Sequence, residues 1–187
     1  LKIFNQNTQI VVSIVREEII PDEYKSILPV KEMKAEDLKS VVKVSKTLLS
    51  STMSEEGESK LDINDLLSDE NIEMLITEGK NSEYLSEVIN GAGEVLINTL
   101  CDSFNINKEN INLEGIQWVD ELEDFKGIMD VCKELGIDFG GKANDIKIEE
   151  FTDEQISKFA NAVFKSNVVS NNTELILSII KTYAGEE

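Results

Sequence analysis

A helix with one apolar face occurs twice in this 187-residue chain, and that recurrence limits the possible folds more than any other feature. One copy lies at Glu123–Leu135, and the other lies 87 positions earlier, at Glu36–Leu48 (123 − 36). Both copies follow the i, i+3, i+4, i+7 spacing of an amphipathic helix, here called helix A. The expected buried residues are Leu38, Val41, Val42, Ser45, Leu48 and Leu49 in the first copy, and Phe125, Ile128, Met129, Cys132 and Leu135 in the second. The recurrence predicts an internal duplication.

A second helix, helix B, follows each copy of helix A. It begins at Ser68-Asp69-Glu70-Asn71-Ile72 in one place and at Thr152-Asp153-Glu154-Gln155-Ile156 in the other, 84 positions later (152 − 68). Ser68 and Thr152 are N-cap residues by type and position, and Thr152 with Gln155 has the spacing of a capping box. The expected buried residues are Ile72, Leu75 and Ile76 in one copy, and Ile156, Phe159 and Ala160 in the other.

A third helix, helix C, is mainly aliphatic and occurs three times. Its copies contain Ile10-Val11-Val12, Val95-Leu96-Ile97 and Leu175-Ile176-Leu177. Aliphatic residues on several sides predict a helix packed between neighbours. The middle copy is expected to begin at Gly91-Ala92-Gly93.

These elements predict an all-α fold of tandem helical repeats, with about three helices and about 80–87 residues in each unit. Residues 1–30 would be the last helix of a preceding repeat and a connector, residues 31–114 one repeat, and residues 115–187 the next. Very short strand-like pieces are expected at 61–63 and 146–148, after a loop that is two residues shorter in the second copy. Gly136 is suited to cap the second helix A.

The charge of the chain excludes several partners. Its 18 basic and 37 acidic residues give a net charge of −19. Nucleic acids and anionic lipid surfaces bind basic protein surface, which this composition lacks. The apolar runs are also much shorter than the roughly 20 residues that span a membrane. We therefore expect protein partners or neighbouring repeats, with no nucleic acid and no membrane insertion.

The sequence contains no recognisable catalytic, cofactor-binding or metal-binding motif. It has no histidine, which removes the Ser-His and Cys-His nucleophile systems and most zinc sites. Asp62–Leu66 begins like a calcium-binding EF-hand loop, but Leu66 and Leu67 occupy the positions of a ligand and of the turn glycine. Neither Gly140-Gly141 nor Gly91-Ala92-Gly93 follows a strand with a lysine and a Ser/Thr placed as in a phosphate loop. We predict no enzyme activity, no cofactor and no metal.

The two cysteines and the single tryptophan are expected to have structural roles. Cys101 and Cys132 are too few to form a disulfide framework, so each is expected to be a buried free thiol. Trp118, just before the second helix A, is expected to pack in the core or as a hydrophobic staple.

The lead Ile116–Leu122, which contains Trp118 and precedes a striped helix, resembles the tandem helical repeats of large surface or secreted proteins of Gram-positive bacteria. The first copy departs from this pattern, since Lys31 stands at the position of the tryptophan. The Lys, Glu, Asn and Ile usage suits a low-GC genome. The resemblance implies a long, exported, multi-repeat chain and assigns no catalytic residue. A start at Leu1, without Met, is expected of an excised fragment or a processed product.

Three functions are compatible with these features. The leading expectation is a non-catalytic spacer or protein-binding surface in a large extracellular or cell-surface protein. The first alternative is an intracellular, cytoplasmic helical scaffold that binds a peptide or a basic protein. The second is an enzyme that uses carboxylates or a divalent metal.

Overall fold

The computed structural model describes residues 1–52, 68–136 and 148–184. In this part of the chain the regular elements are helices, so the predicted all-α class is confirmed. The α-helices are α1 (Lys2–Ile14), α2 (Ala35–Thr52), α3 (Asp69–Asn81), α4 (Glu83–Phe104), α5 (Trp118–Glu134), α6 (Asp153–Phe164), α7 (Asn167–Asn171) and α8 (Thr173–Ala184). A π-helical turn covers Val15–Ile19, and 3-10 turns cover Asp22–Ile27, Lys108–Asn110 and Ile148–Glu150.

The prediction of a strand-like piece at 146–148 is wrong for Ile148, which begins a 3-10 turn leading into the capped start of α6. Positions 61–63, 146 and 147 lie outside the described residues.

The chain forms two compact units, residues 1–106 and 107–187. The first contains α1 to α4, and the second contains α5 to α8. Helix α1 therefore belongs spatially to the first unit, although its sequence suggests the last helix of a preceding repeat. The division into repeats at 1–30, 31–114 and 115–187 stays a prediction.

The predicted helix ends are confirmed. The Ser68 side chain caps α3 by accepting a hydrogen bond from the Asn71 amide. Thr152 and Gln155 form both hydrogen bonds of the capping box at the start of α6. Gly136 follows α5 with φ +73°, a conformation that glycine adopts without the steric penalty of a side chain. Local sequence signals therefore located these ends correctly.

The face that α2 buries differs from the predicted stripe. Val42 and Leu49 are exposed, while Val44 is buried beside two polar residues, Asp37 and Ser40. The prediction is wrong for these two residues and for Ser45, which is also exposed, while Leu38, Val41 and Leu48 are half-buried. It missed Asp37 and Ser40 because polar groups with partners in the fold also line the inner face of α2. In α5 the predicted face is confirmed: Met129 and Cys132 are buried, and Phe125, Ile128 and Leu135 are half-buried.

Helix B behaves differently in the two units. In α3 the predicted residues Ile72 and Ile76 are buried. In α6 the equivalent prediction is wrong for Ile156 and Phe159, which are exposed, while Ala160 is half-buried and the small Ala162 faces the interior. The side of α6 turned toward its unit is thus narrower and less apolar than the periodicity suggested.

The middle helix C begins earlier than predicted. Ser82 caps α4, so Gly91 and Gly93 lie in the middle of a 22-residue helix and do not form its entry. Both glycines are buried, and a Cβ built on Gly91 would lie 2.0 Å from the carbonyl oxygen of Ser26. The turn Asp22–Ile27 therefore crosses α4 at a point where the backbones touch. Glycine is required here by close approach of the backbone.

Gly91→Ala should lower the free energy of unfolding by about 1–3 kcal/mol, since its methyl group overlaps a backbone atom that cannot rotate away. Gly127→Ala is the matched control, because a methyl group added to that α5 glycine would enter open space. The control should stabilise the chain by about 0.5–1 kcal/mol through helix propensity alone. Urea unfolding followed by circular dichroism measures both. Equal effects of the same sign would contradict the close approach at Gly91.

Candidate functional site

A buried carboxylate joins α2 to the start of α4 in the first unit. Asp37 Oδ1 accepts a 2.7 Å hydrogen bond from the Ser82 hydroxyl, and Asp37 Oδ2 accepts one of 2.8 Å from the Lys34 amide. The Ser82 oxygen in turn accepts from the Leu85 amide at 3.1 Å, as an N-cap residue does. The negative charge therefore lies at the positive end of the α4 dipole, where an anion is stabilised.

The second unit contains the same serine–carboxylate hydrogen bond, with a glutamate in place of the aspartate and a different backbone donor. Glu121 Oε2 accepts a 2.6 Å hydrogen bond from the Ser166 hydroxyl, and Glu121 Oε1 accepts one of 2.9 Å from the Asn167 amide. Ser166 accepts from the Val169 amide and caps α7. We call these two arrangements the carboxylate–serine joints. Their four side chains are buried, which is tolerated because the carboxylate oxygens are hydrogen-bonded.

The two joints have identical spacing in the sequence. Carboxylate and serine are 45 residues apart in both, and the joints are 84 residues apart (121 − 37 and 166 − 82). This spacing favours an offset of 84 for helix A over the offset of 87 inferred from the stripe. The prediction that the loop after helix A is two residues shorter in the second copy is therefore wrong, since the segments between carboxylate and serine are equally long. The stripe was misaligned because an amphipathic pattern nearly matches itself after a shift of three residues.

Each unit also contains a buried asparagine whose side-chain amide pairs with the backbone of a single distant residue. Asn5 donates to the Met33 carbonyl at 2.9 Å and accepts from the Met33 amide at 3.0 Å. Asn172 makes the same pair with Asn112, at 2.9 and 2.7 Å. Because Asn172 ends α7 and precedes α8, the last helix C is divided where the middle copy is continuous.

A polar contact between helices A and B occurs in the first unit. Glu78 accepts a 2.7 Å hydrogen bond from Ser40 and lies 2.8 Å from the Lys43 ammonium. The interactions with Lys43 and then Ser40 lower the pKa of Glu78. Eighty-four residues later the corresponding positions hold Asp124 and Ala162. There, burial and the neighbouring charges of Glu121, Glu123 and Asp120 raise the pKa of Asp124.

The helices predicted to pack between neighbours leave large apolar surface open. Helix α1 exposes Ile10, Val11 and Ile14, and the second half of α4 exposes Leu96, Leu100 and Phe104. Leu177 in α8 is also exposed. The prediction of helix C as a helix covered on most sides is therefore wrong for these residues. The aliphatic content indicated a helix with apolar faces to cover, but it did not show which of these faces the rest of the unit covers.

Each cysteine and the tryptophan contribute to the interior of their own unit or to its edge. Cys101 and Cys132 are buried free thiols, as predicted, and burial raises the pKa of Cys132. Trp118 is the first residue of α5 and is half-buried, whereas its neighbours Ile116 and Val119 enter the core. Asp62–Leu66 and Gly140-Gly141 lie outside the described residues.

Within residues 1–52, 68–136 and 148–184, His, Cys, Asp and Glu side chains form no group of three or more that could hold a metal ion. A helix with the length and apolarity of a membrane span does not occur in those ranges.

The carboxylate–serine joints are suited to holding two helices in a fixed relative position. Each carboxylate oxygen already accepts a hydrogen bond, and each serine hydroxyl is both donor and acceptor. Sequence reasoning missed Asp37 and Glu121. The detectable signal was an acidic residue in the first turn of helix A that precedes the serine by 45 positions in both units.

Comparison with known protein families, curated proteins and solved structures finds no match to this chain.

Asp37→Asn should make the chain less stable at neutral pH, by about 1.5–3 kcal/mol, because charge-assisted hydrogen bonds are lost. Burial alone would raise the pKa of Asp37, but hydrogen bonds from the Lys34 amide, Ser82 and the Tyr84 amide outweigh it, so the pKa lies below 3.8. This contribution is present above about pH 4 and is lost as pH falls through the folded pKa. The difference from the wild type should therefore shrink in acid.

Urea unfolding between pH 7 and pH 3 measures this pH dependence. Glu36→Gln removes the same charge from an exposed position of the same turn and serves as the control. A difference between Asp37→Asn and the wild type that stays constant with pH would show that the carboxylate charge does not matter.

Asp124→Asn should have the opposite effect and stabilise the chain at neutral pH. The raised pKa of Asp124 means that its ionised form is disfavoured in the folded protein, so stability falls as pH rises from 3.8 through the folded pKa. Asn cannot ionise and avoids that loss. Thermal melts at pH 7 and pH 3 should show a gain at the higher pH only. Asp130→Asn, on an exposed position of α5, controls for the change in net charge, and an equal gain from it would disprove the local cause.

Proposed function

We propose that this chain is a non-catalytic, repeated helical segment that acts as a spacer or a protein-binding surface in a large surface or secreted protein. The observation that carries the proposal is the recurrence of the carboxylate–serine joint at an interval of 84 residues. Recurrence of a buried hydrogen bond from a capping serine to a carboxylate 45 residues earlier supports two units built to one plan.

Two units of one plan support a tandem array. In such arrays each repeat contacts its neighbours, and length is gained by adding units. The joint suits this task, since it ties helix A to helix C within a unit. The net charge of −19 would oppose collapse and aggregation of a long array.

The exposed apolar residues of α4 and α6 favour a protein-binding surface over a purely passive spacer. Leu96, Leu100 and Phe104 lie on one face of α4, and Ile156, Phe159 and Phe164 are open on α6. Clusters of exposed large apolar side chains are typical of protein interaction sites.

Insertion of one extra period tests the repeat organisation. A second copy of residues 37–120, which is 84 residues long, is placed between Asp120 and Glu121, so that the joints keep their spacing. If the chain is a repeat array, the longer chain should keep the helix content per residue and melt reversibly. The matched control inserts residues 34–120, which is 87 residues long and displaces the new helix A by three positions.

Circular dichroism and sedimentation velocity measure both insertions. The 84-residue insertion should give a folded, longer particle, and the 87-residue insertion should melt at a lower temperature. Equal behaviour of the two chains, or misfolding of the 84-residue insertion alone, would contradict the repeat proposal. An export signal in the parent gene, with further carboxylate and serine pairs at the same spacing, would support an extracellular location over the intracellular scaffold.

A further inference from the structure

Helix α1 packs on its own unit with its polar side inward. Asn5 is buried in its double hydrogen bond with Met33, and Gln9, one turn later on the same side, is half-buried. The opposite side is apolar and open to solvent, with exposed fractions of 75% for Ile3, 58% for Ile10 and 54% for Ile14. We call Ile3, Phe4, Ile10, Val11 and Ile14 the α1 stripe.

The α1 stripe is one continuous face. Spacings of seven and eleven residues from Ile3 place Ile10 and Ile14 on the same side of a helix, and Phe4 and Val11 flank them. An amphipathic helix normally turns such a face toward its own core. Here the hydrogen bonds of Asn5 hold the helix in the reverse orientation. The exposed stripe therefore requires an apolar partner from outside the unit.

The distribution of charge identifies that partner. The chain has a net charge of −19, yet residues 3–15 contain no charged side chain. Lys2 stands at one end of this stretch, and Arg16, Glu17 and Glu18 stand at the other. Arg16 and Glu17 already bind Lys25 of their own chain, through its carbonyl and its ammonium respectively. A second α1 in antiparallel orientation, centred near Ile10, would bring Lys2 of each copy opposite Glu18 of the other.

We infer that α1 is a pairing helix that joins two copies of this chain in an antiparallel, twofold arrangement. Twofold pairing uses the same patch on both copies, so each complementary end contact is made twice. The stripe permits close approach because it lacks the negative charge carried by the rest of the chain. A single helix pair buries less area than a standard stable interface, so the dimer should be weak. The inference goes beyond the proposed function and does not depend on the repeat organisation.

Sedimentation equilibrium of the full chain tests the pairing over about 5–500 µM, the range of a weak complex. The wild type should dimerise with concentration. It should dimerise more strongly when NaCl is raised from about 50 to about 500 mM, because salt screens the repulsion between two acidic chains. A chain that remains monomeric at the highest concentration and salt would overturn the proposal and assign the stripe to another occupant, such as a basic helix or a neighbouring repeat.

Val11→Glu and Val42→Glu form a matched pair of variants. Both valines lie within helices, and they are 58% and 57% exposed, but only Val11 belongs to the stripe. Val11→Glu should weaken dimerisation at least tenfold, whereas Val42→Glu should leave it close to the wild type. Circular dichroism checks that both variants remain helical. Equal weakening by the two variants would locate the dimer contact elsewhere and overturn the assignment.

Charge reversal tests the antiparallel orientation. Lys2→Glu alone should weaken the dimer, because the new carboxylate would face the Glu18 carboxylate of the other copy. Adding Glu18→Lys in the same chain should restore the affinity, since the end contacts become complementary again. Weakening without rescue by the second substitution would overturn the antiparallel arrangement.

Discussion

A carboxylate buried at the start of another helix holds each unit together. Ionised Asp37 would be costly to bury, and the cost is offset because the Ser82 hydroxyl and backbone amides donate to it at the positive end of α4. The contact is directional, so it fixes the position of α4 along the first turn of α2 as well as their proximity. Apolar contacts tolerate sliding by one helical turn more readily. Glu121 with Ser166 does the same for α5 and α7.

The other buried polar groups act in the same directional way. The side-chain amides of Asn5 and Asn172 each bind both the amide and the carbonyl of one distant residue, Met33 and Asn112 respectively. Each pair of hydrogen bonds places a connector against a helix. Gly91 allows a second connector to reach the α4 backbone itself. These contacts position the helices, while many large aliphatic residues remain exposed. Each unit is therefore positioned by a few polar contacts and keeps apolar faces available for other helices.

The differences between the units follow from this division of roles. The joint is present in both, with Asp in one and Glu in the other, because either carboxylate can accept from a serine and an amide. The hydrogen bond between Ser40 and Glu78 is not preserved, since the position of Ser40 holds Asp124 and the position of Glu78 holds Ala162. The first unit therefore has a satisfied carboxylate at this contact. In the second, burial and neighbouring acidic groups raise the pKa of Asp124.

The sequence by itself determined the fold class and several helix ends, because these depend on neighbouring residues. Ser68, the Thr152–Gln155 capping box and Gly136 act within one turn of their own position. The tertiary structure alone decided which helix faces are covered and which register relates the units. Val42 and Ile10 look like core residues by periodicity, yet both are exposed, because burial depends on what distant segments supply. The stripe of helix A nearly repeats after three residues and does not fix the register, whereas the hydrogen bonds of Asp37 and Glu121 to serines 45 positions away favour 84 over 87.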